Sequence, residues 1–193
     1  MALGGRSSKS FITEKHWEKL LSKAKKGDFV IIQFGHNDTV AGEKNFYRFT
    51  QPEKVFPHYL KIYIAEARER GLIPVLLTQT VYCKFDANGR AVNNHASDMA
   101  FGGERYIASV RKVAQETGVD FVDINAAAMA KFSTMSKQEI IDLYMTFPAG
   151  KYKNYPKGRT DMVHLRTEGA EFYADILVKL AKTQKLPLAE LFK

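Results

Sequence analysis

At 193 residues and 45% apolar content, the chain is long enough to bury a sizeable core and short enough to fit one domain, read as residues 1–193. No run approaches the roughly 18 apolar residues of a membrane span, and the opening MALGGRSSKSFI lacks a charged start followed by an apolar stretch, so it reads as neither signal peptide nor anchor. The single cysteine, Cys83, leaves no internal disulfide, and the formal charge of +8 favours a polyanionic partner: nucleic acid, an anionic membrane surface or an acidic polysaccharide.

In chain order, Trp17, Leu20, Leu21 and Ala24 fall at helical spacing after a Thr13 cap, and Gly27 ends that helix before the strand FVIIQF (29–34). Tyr59, Leu60, Tyr63, Ile64 and Ala67 repeat the helical period and stop at Gly71, ahead of a second buried strand, IPVLLTQ (73–79). A third helix carries Tyr106, Ile107, Val110, Val113 and Ala114, is closed by Gly118, and leads into VDFVDI (119–124). Ser136 and Glu139 form a capping box before IIDLYM (140–145). A last helix runs from about Thr167, with Ala170, Tyr173, Ile176, Leu177 and Leu180 facing inward.

Short apolar strands alternating with amphipathic helices predict a parallel sheet covered on both faces. In such α/β sheets the site lies outside the carboxyl ends of the strands. FVIIQF delivers Gly35, His36, Asn37 and Asp38 to that edge, the next strand delivers Thr78, Gln79 and Thr80, and the third delivers Asp123 and Asn125. Taken alone, GHND reads equally well as a turn, because Gly, Asn and Asp hydrogen-bond their own backbone.

A second cluster adds weight. DMVHLRTEGA (161–170) sets Asp161 three residues before His164, a reach at which the carboxylate accepts a hydrogen bond from one ring nitrogen while the other works as a base. KYKNYPKGR (151–159) interleaves Tyr152 and Tyr155 with basic residues, a composition suited to stacking on sugars or bases while attracting anions. The other lysines read as solvated helix ends, and the five histidines are too scattered for metal-ligand spacing.

GGRSSKSF (4–11), GHND (35–38) and DMVH (161–164) together resemble three of the four sequence blocks of the SGNH, or GDSL-type, hydrolases, in the family's order. TQTVYCKF (78–85), followed by DANGR and the late YPKGRTDMVH, is similar to the rhamnogalacturonan acetylesterase branch of carbohydrate esterases. The resemblance implies a three-layer α/β/α flavodoxin-like fold with a parallel sheet. It also implies acetyl removal from a pectic polysaccharide by serine-hydrolase chemistry, without cofactor or metal. On this reading the Gly5 amide and the Asn37 side chain form the oxyanion hole, His164 is the general base and acid, and Asp161 orients it. Arg6, His36, Tyr152 and Tyr155 are the expected substrate-binding residues. The implied partner is an acetylated acidic polysaccharide, with no role for nucleic acid or membrane. The family is commonly secreted or periplasmic.

One block departs from the pattern. The Gly-Asp-Ser triplet that supplies the family's nucleophile does not occur in the sequence. The expected fold therefore lacks its first strands, the domain is N-terminally incomplete, and the chain is impaired as an esterase. Ser7, Ser8 and Ser10 lie on a loop that in the family supports the oxyanion hole and does not attack. Gln79, Tyr82, Cys83 and Lys84 replace the proline and paired arginines that relatives tend to carry. The alternative is a non-catalytic carbohydrate-binding relative of the same fold. A nucleotide- or nucleic-acid-binding module is the third reading, disfavoured because no glycine-rich phosphate loop follows any strand. Without the first strands, FVIIQF becomes an apolar sheet edge through which copies of the chain are expected to associate.

Overall fold

The computed structural model describes residues 2–93 and 103–192. They form two compact units, one of residues 2–79 and 103–123, the other of residues 80–93 and 124–192.

The first unit opens on a helix that the apolar spacing alone does not reveal. Ser7 caps α1 (Ser8–Thr13): its hydroxyl accepts the Ser10 amide at 3.1 Å, and the Ser10 hydroxyl accepts the Ser7 amide at 2.9 Å. Thr13, expected to start the helix, is instead the last residue of α1. Lys15 in the left-handed region (φ 62°) breaks the chain before α2 (His16–Leu21). The reciprocal serine cap fixes the earlier start, satisfying two amides that Thr13 would have left open.

Strand β1 (Phe29–Ile32) leads through α3 (Val55–Glu69) to β2 (Ile73–Leu77), and α4 (Gly103–Thr117) precedes a later, short strand of the same sheet. That strand and β2 bracket a hairpin of the second unit, β3 (Cys83–Phe85) and β4 (Ala91–Asn93), so it is numbered β5 (Asp120–Val122). The sheet is parallel with order β1-β2-β5; Val30 pairs with Pro74 and Leu76 with Phe121. The strand FVIIQF thus lies at a sheet edge, as expected. Val30 and Ile32 are buried, whereas Ile31 on the other face is 48% exposed. Helices α3 and α4 pack on each other and on β2, and the core joins Trp17, Leu60, Tyr63, Leu76, Val110 and Val113.

In the second unit, Asp86 organises the turn between β3 and β4: its carboxylate accepts the amides of Asn88 (2.9 Å) and Arg90 (2.8 Å). Helix α5 (Ile124–Phe132) follows β5 directly and buries Asn125, whose side chain accepts a hydrogen bond from Asn93 at 2.9 Å. Asn125 is therefore a helical residue rather than a strand-end group. The Ser136/Glu139 capping box opens α6 (Lys137–Asp142) as expected. In α7 (Thr167–Thr183), Tyr173 and Ile176 face inward, but Ala170 is exposed and Gly169 takes the buried position. A Cβ at Gly169 would lie 2.0 Å from the Leu143 carbonyl oxygen, so the helix seats on backbone there.

Candidate active site

In the first unit, Gly35 starts the GHND loop at φ 136°, and an added Cβ would lie 1.7 Å from the Gln79 side chain, so only glycine lets the chain turn off β1 here. The turn buries Asp38 completely. Its carboxylate accepts the Ser8 hydroxyl at 2.5 Å, the Ser8 amide at 3.1 Å and the Thr50 hydroxyl at 2.8 Å. Tyr63 donates to the Ser8 carbonyl at 2.7 Å, and Tyr106 to the Thr50 carbonyl at 2.5 Å. Burial pushes the Asp38 carboxyl up to about 6 against the pull of the Ser8 and Thr50 hydroxyls and the Ser8 and Gly35 amides.

This clamp brings the GGRSS and GHND loops together. The Asn37 side-chain amide donates to the Arg6 carbonyl at 3.3 Å, and its oxygen accepts from Arg48 at 3.1 Å. Gly5, next to Arg6, sits at φ 77° on the exposed side of the same loop. Arg6 turns to Glu14 at 2.9 Å, and the half-buried His36 offers its carbonyl to the Thr39 hydroxyl at 2.8 Å. Ser7, Ser8 and Ser10 are fully buried, with hydroxyls committed to the helix cap and to Asp38.

In the second unit, Asp161 and His164 meet as their spacing implies. The His164 Nδ1 lies 2.8 Å from the Asp161 carboxylate, so Nδ1–H donates to it and Nε2 points away on a side chain that is 72% exposed. The second carboxylate oxygen accepts the amides of Val163 (3.0 Å) and His164 (2.9 Å), which locks the loop around the pair. Arg159 pairs with the oxygen that also faces the ring. Burial pushes the Asp161 carboxyl up, but the two amides, the His164 ring and Arg159 outweigh it and hold the group at about 2. The Thr146 hydroxyl donates to the Asp161 carbonyl at 3.0 Å. An imidazole so held is fixed in one tautomer, and a permanent carboxylate stabilises its protonated form.

Tyr152 and Tyr155 face each other across a tight turn, with the Tyr155 amide donating to the Tyr152 carbonyl at 2.9 Å. Both rings pack edge-on against Phe147, with centroids at 4.6 and 5.5 Å. The Arg159 guanidinium lies 5.5 Å from the Tyr155 ring while reaching Asp161, so it ties the tyrosine turn to the Asp–His pair. A cleft of about 640 Å³ opens here, walled by Phe147, Tyr152 and Tyr155 and floored by Met145 and Leu165. The Met145 amide donates to the His164 carbonyl at 2.8 Å, making the cleft floor continuous with the histidine loop.

Gly5, Arg6, His36 and Asn37 thus gather in the first unit, and Asp161, His164, Tyr152 and Tyr155 in the second. Asp123, at the end of β5, is tied to Thr78 at 3.0 Å and Arg111 at 2.7 Å. Sequence reasoning passed over Arg159, whose signal was its position two residues before Asp161, and Thr146, which carried no local signal. Cys83 is buried and its thiol is pushed up to about 12 by that burial, so it offers no thiolate.

The profile of the GDSL-like lipase/acylhydrolase family matches residues 1–172. The chain belongs to this family of ester hydrolases. Among curated relatives it is 30% identical over 189 residues to the probable rhamnogalacturonan acetylesterase YesY of Bacillus subtilis, spanning 98% of this chain and 78% of YesY. It is 30% identical to the rhamnogalacturonan acetylesterase RhgT of the same species, spanning 75% of RhgT. The crystal structure of the Bacillus subtilis protein YxiM superposes with a TM-score of 0.70 at 23% identity, over 95% of this chain and 45% of that one. That likeness shows a shared α/β fold; the chain spans less than half of YxiM.

Proposed function

We infer that the chain carries the acid–base and oxyanion-binding parts of a carbohydrate esterase that removes acetyl groups from an acidic, pectic polysaccharide. The observation that carries this reading is the Asp161–His164 hydrogen bond at 2.8 Å, which leaves Nε2 open on an exposed ring. In this role Nε2 takes the proton of an attacking hydroxyl and returns it to the leaving sugar oxygen. The Gly5 amide and the Asn37 side-chain amide, on loops clamped by Asp38, stabilise the negative oxygen of the tetrahedral intermediate. The relatives named for rhamnogalacturonan and the formal charge of +8 support an acidic glycan as substrate.

The Gly-Asp-Ser triplet is absent from these 193 residues, and burial of Ser7, Ser8 and Ser10 argues against a replacement from the neighbouring loop. The 193 residues by themselves therefore bind the acetylated glycan but turn it over slowly. The same burial favours the second reading, a carbohydrate-binding relative without catalysis. A binding protein, however, has no use for a base held in one tautomer. Affinity electrophoresis on acetylated rhamnogalacturonan tests substrate choice: retention is expected, and it weakens as salt rises. Equal retention on neutral acetylated xylan at low ionic strength would overturn the choice of an acidic glycan.

A further inference from the structure

The cleft beside the histidine loop holds a charge arrangement that substrate stacking on tyrosine does not use. Arg166, at the start of α7, is buried to 10% exposure, and its guanidinium pairs with Asp142 at 3.1 Å and with Glu168 at 2.8 Å. Of these two carboxylates only Glu168 lines the cleft, together with Arg166, Lys153 and Thr167. The Glu168 side chain is 55% exposed, and its carboxyl is held low first by its own backbone amide and then by Arg166. Helix α7 has no side-chain cap from Arg166, so its first-turn amides favour an anion at this end of the cleft. A carboxylate of the protein's own thus sits at a cationic, helix-terminal position, in the same cleft as an aromatic wall of which Tyr152 is 39% exposed.

We propose that this cleft is a subsite for a uronate residue, with Glu168 occupying in the free protein the place on Arg166 that the sugar carboxylate takes. The proposal rests on the reading of the chain as an esterase for acidic polysaccharide. Arg166 keeps Asp142 throughout, so the pair they form is neutral. When Glu168 swings out into water, the side of Arg166 it vacates, Lys153 and the α7 N-terminus hold the incoming carboxylate. The Glu168 end of the pair is 55% exposed, so water competes for it and the contact exchanges readily. The pyranose ring then lies against Tyr152, whose exposed face suits its C–H surface, and the chain continues toward His164 over Leu165.

Isothermal titration calorimetry of the 193-residue chain with trigalacturonate, and with galactotriose as its neutral counterpart, tests the subsite at low ionic strength. Glu168→Gln removes the competing charge and is expected to bind trigalacturonate about three- to fivefold more tightly. Lys153→Gln is expected to weaken it by a similar factor, and galactotriose binding stays unchanged in both. Thermal unfolding of each variant confirms that the fold is kept. An unchanged or weakened Glu168→Gln affinity, an equal gain for galactotriose, or no trigalacturonate binding by any of the proteins overturns the subsite. Failure of the esterase reading shows separately, as loss of retention on acetylated rhamnogalacturonan by the unmodified chain.

Discussion

Ser8 and Asp38, thirty positions apart, share one buried hydrogen-bonded unit in which the Asp38 carboxylate accepts both the hydroxyl (2.5 Å) and the amide of Ser8. Through it the loop carrying Gly5 and the loop carrying Asn37 become one piece. Replacing Asp38 by asparagine removes the charge from these bonds and sets an amide against donors. Asp38→Asn is therefore expected to lower stability by about 1–3 kcal/mol, and Ser8→Ala by less, as measured by urea unfolding at neutral pH. Unchanged midpoints for both would show that the clamp contributes nothing.

Asp38 and Asp161 also give opposite pH dependences. The folded-state carboxyl of Asp38 lies at about 6, above its ordinary 3.8, so the folded protein binds more protons than the unfolded chain between those values. The proton-linked part of its contribution is full below pH 3.8 and is lost as pH rises through about 6, while the hydrogen bonds to Ser8 and Thr50 remain. Asp161 is held at about 2, so its contribution is present above 3.8 and is lost as pH falls toward 2. Unfolding curves taken across this range should show Asp161→Asn flattening the acid limb and Asp38→Asn flattening the slope between 4 and 6. The reverse assignment would contradict both environments.

Gly35→Ala should be among the most damaging single changes. The position combines φ 136° with a Cβ site 1.7 Å from Gln79, so Gln79 must move while the backbone stays strained. A loss of about 3 kcal/mol is expected from strain and overpacking together. Gln79→Ala in the same chain should recover part of it, and failure of that rescue in thermal unfolding would place the cost elsewhere.

These cases show where the sequence was legible. The strands β1, β2 and β5 announced themselves inside the apolar runs 29–34, 73–79 and 119–124, each ending before its run does, and α3, α4 and α7 as helical periods, because burial writes a period into the chain. Asp161 and His164 were legible because both partners sit in one short loop. The start of α1 was not, since its signal was a reciprocal serine cap that the apolar spacing of Trp17 and Leu21 obscured. The hairpin β3–β4 was passed over although its Asn88-Gly89 turn sits between short strands, a recognisable pattern. Ala170 was misassigned because periodicity alone does not reveal that α7 seats Gly169 on the Leu143 backbone. The role of Asp38 was out of reach, because Thr50 and Tyr106 reach it, and Tyr63 its partner Ser8, only in the fold.

Strand β1 bears on association. Among the described residues it pairs only with β2, and Ile31 is exposed. An apolar edge without charge or proline invites strand addition. Light scattering over increasing concentration is expected to show self-association that Ile31→Lys reduces. A monodisperse monomer at high concentration, with Val30 and Ile32 amides exchanging slowly, would show that the edge is protected.

On the proposed reading, this chain holds an esterase's base and oxyanion donors while the neighbouring Ser7, Ser8 and Ser10 are structural. Acetate release from an aryl acetate by the 193-residue chain, compared with its His164→Ala variant, tests it most directly. The unmodified chain is expected to be no faster than the variant, and a serine-directed fluorophosphonate is expected to leave Ser7, Ser8 and Ser10 unlabelled. A His164-dependent burst, or a covalent adduct on any of the three serines, would contradict it.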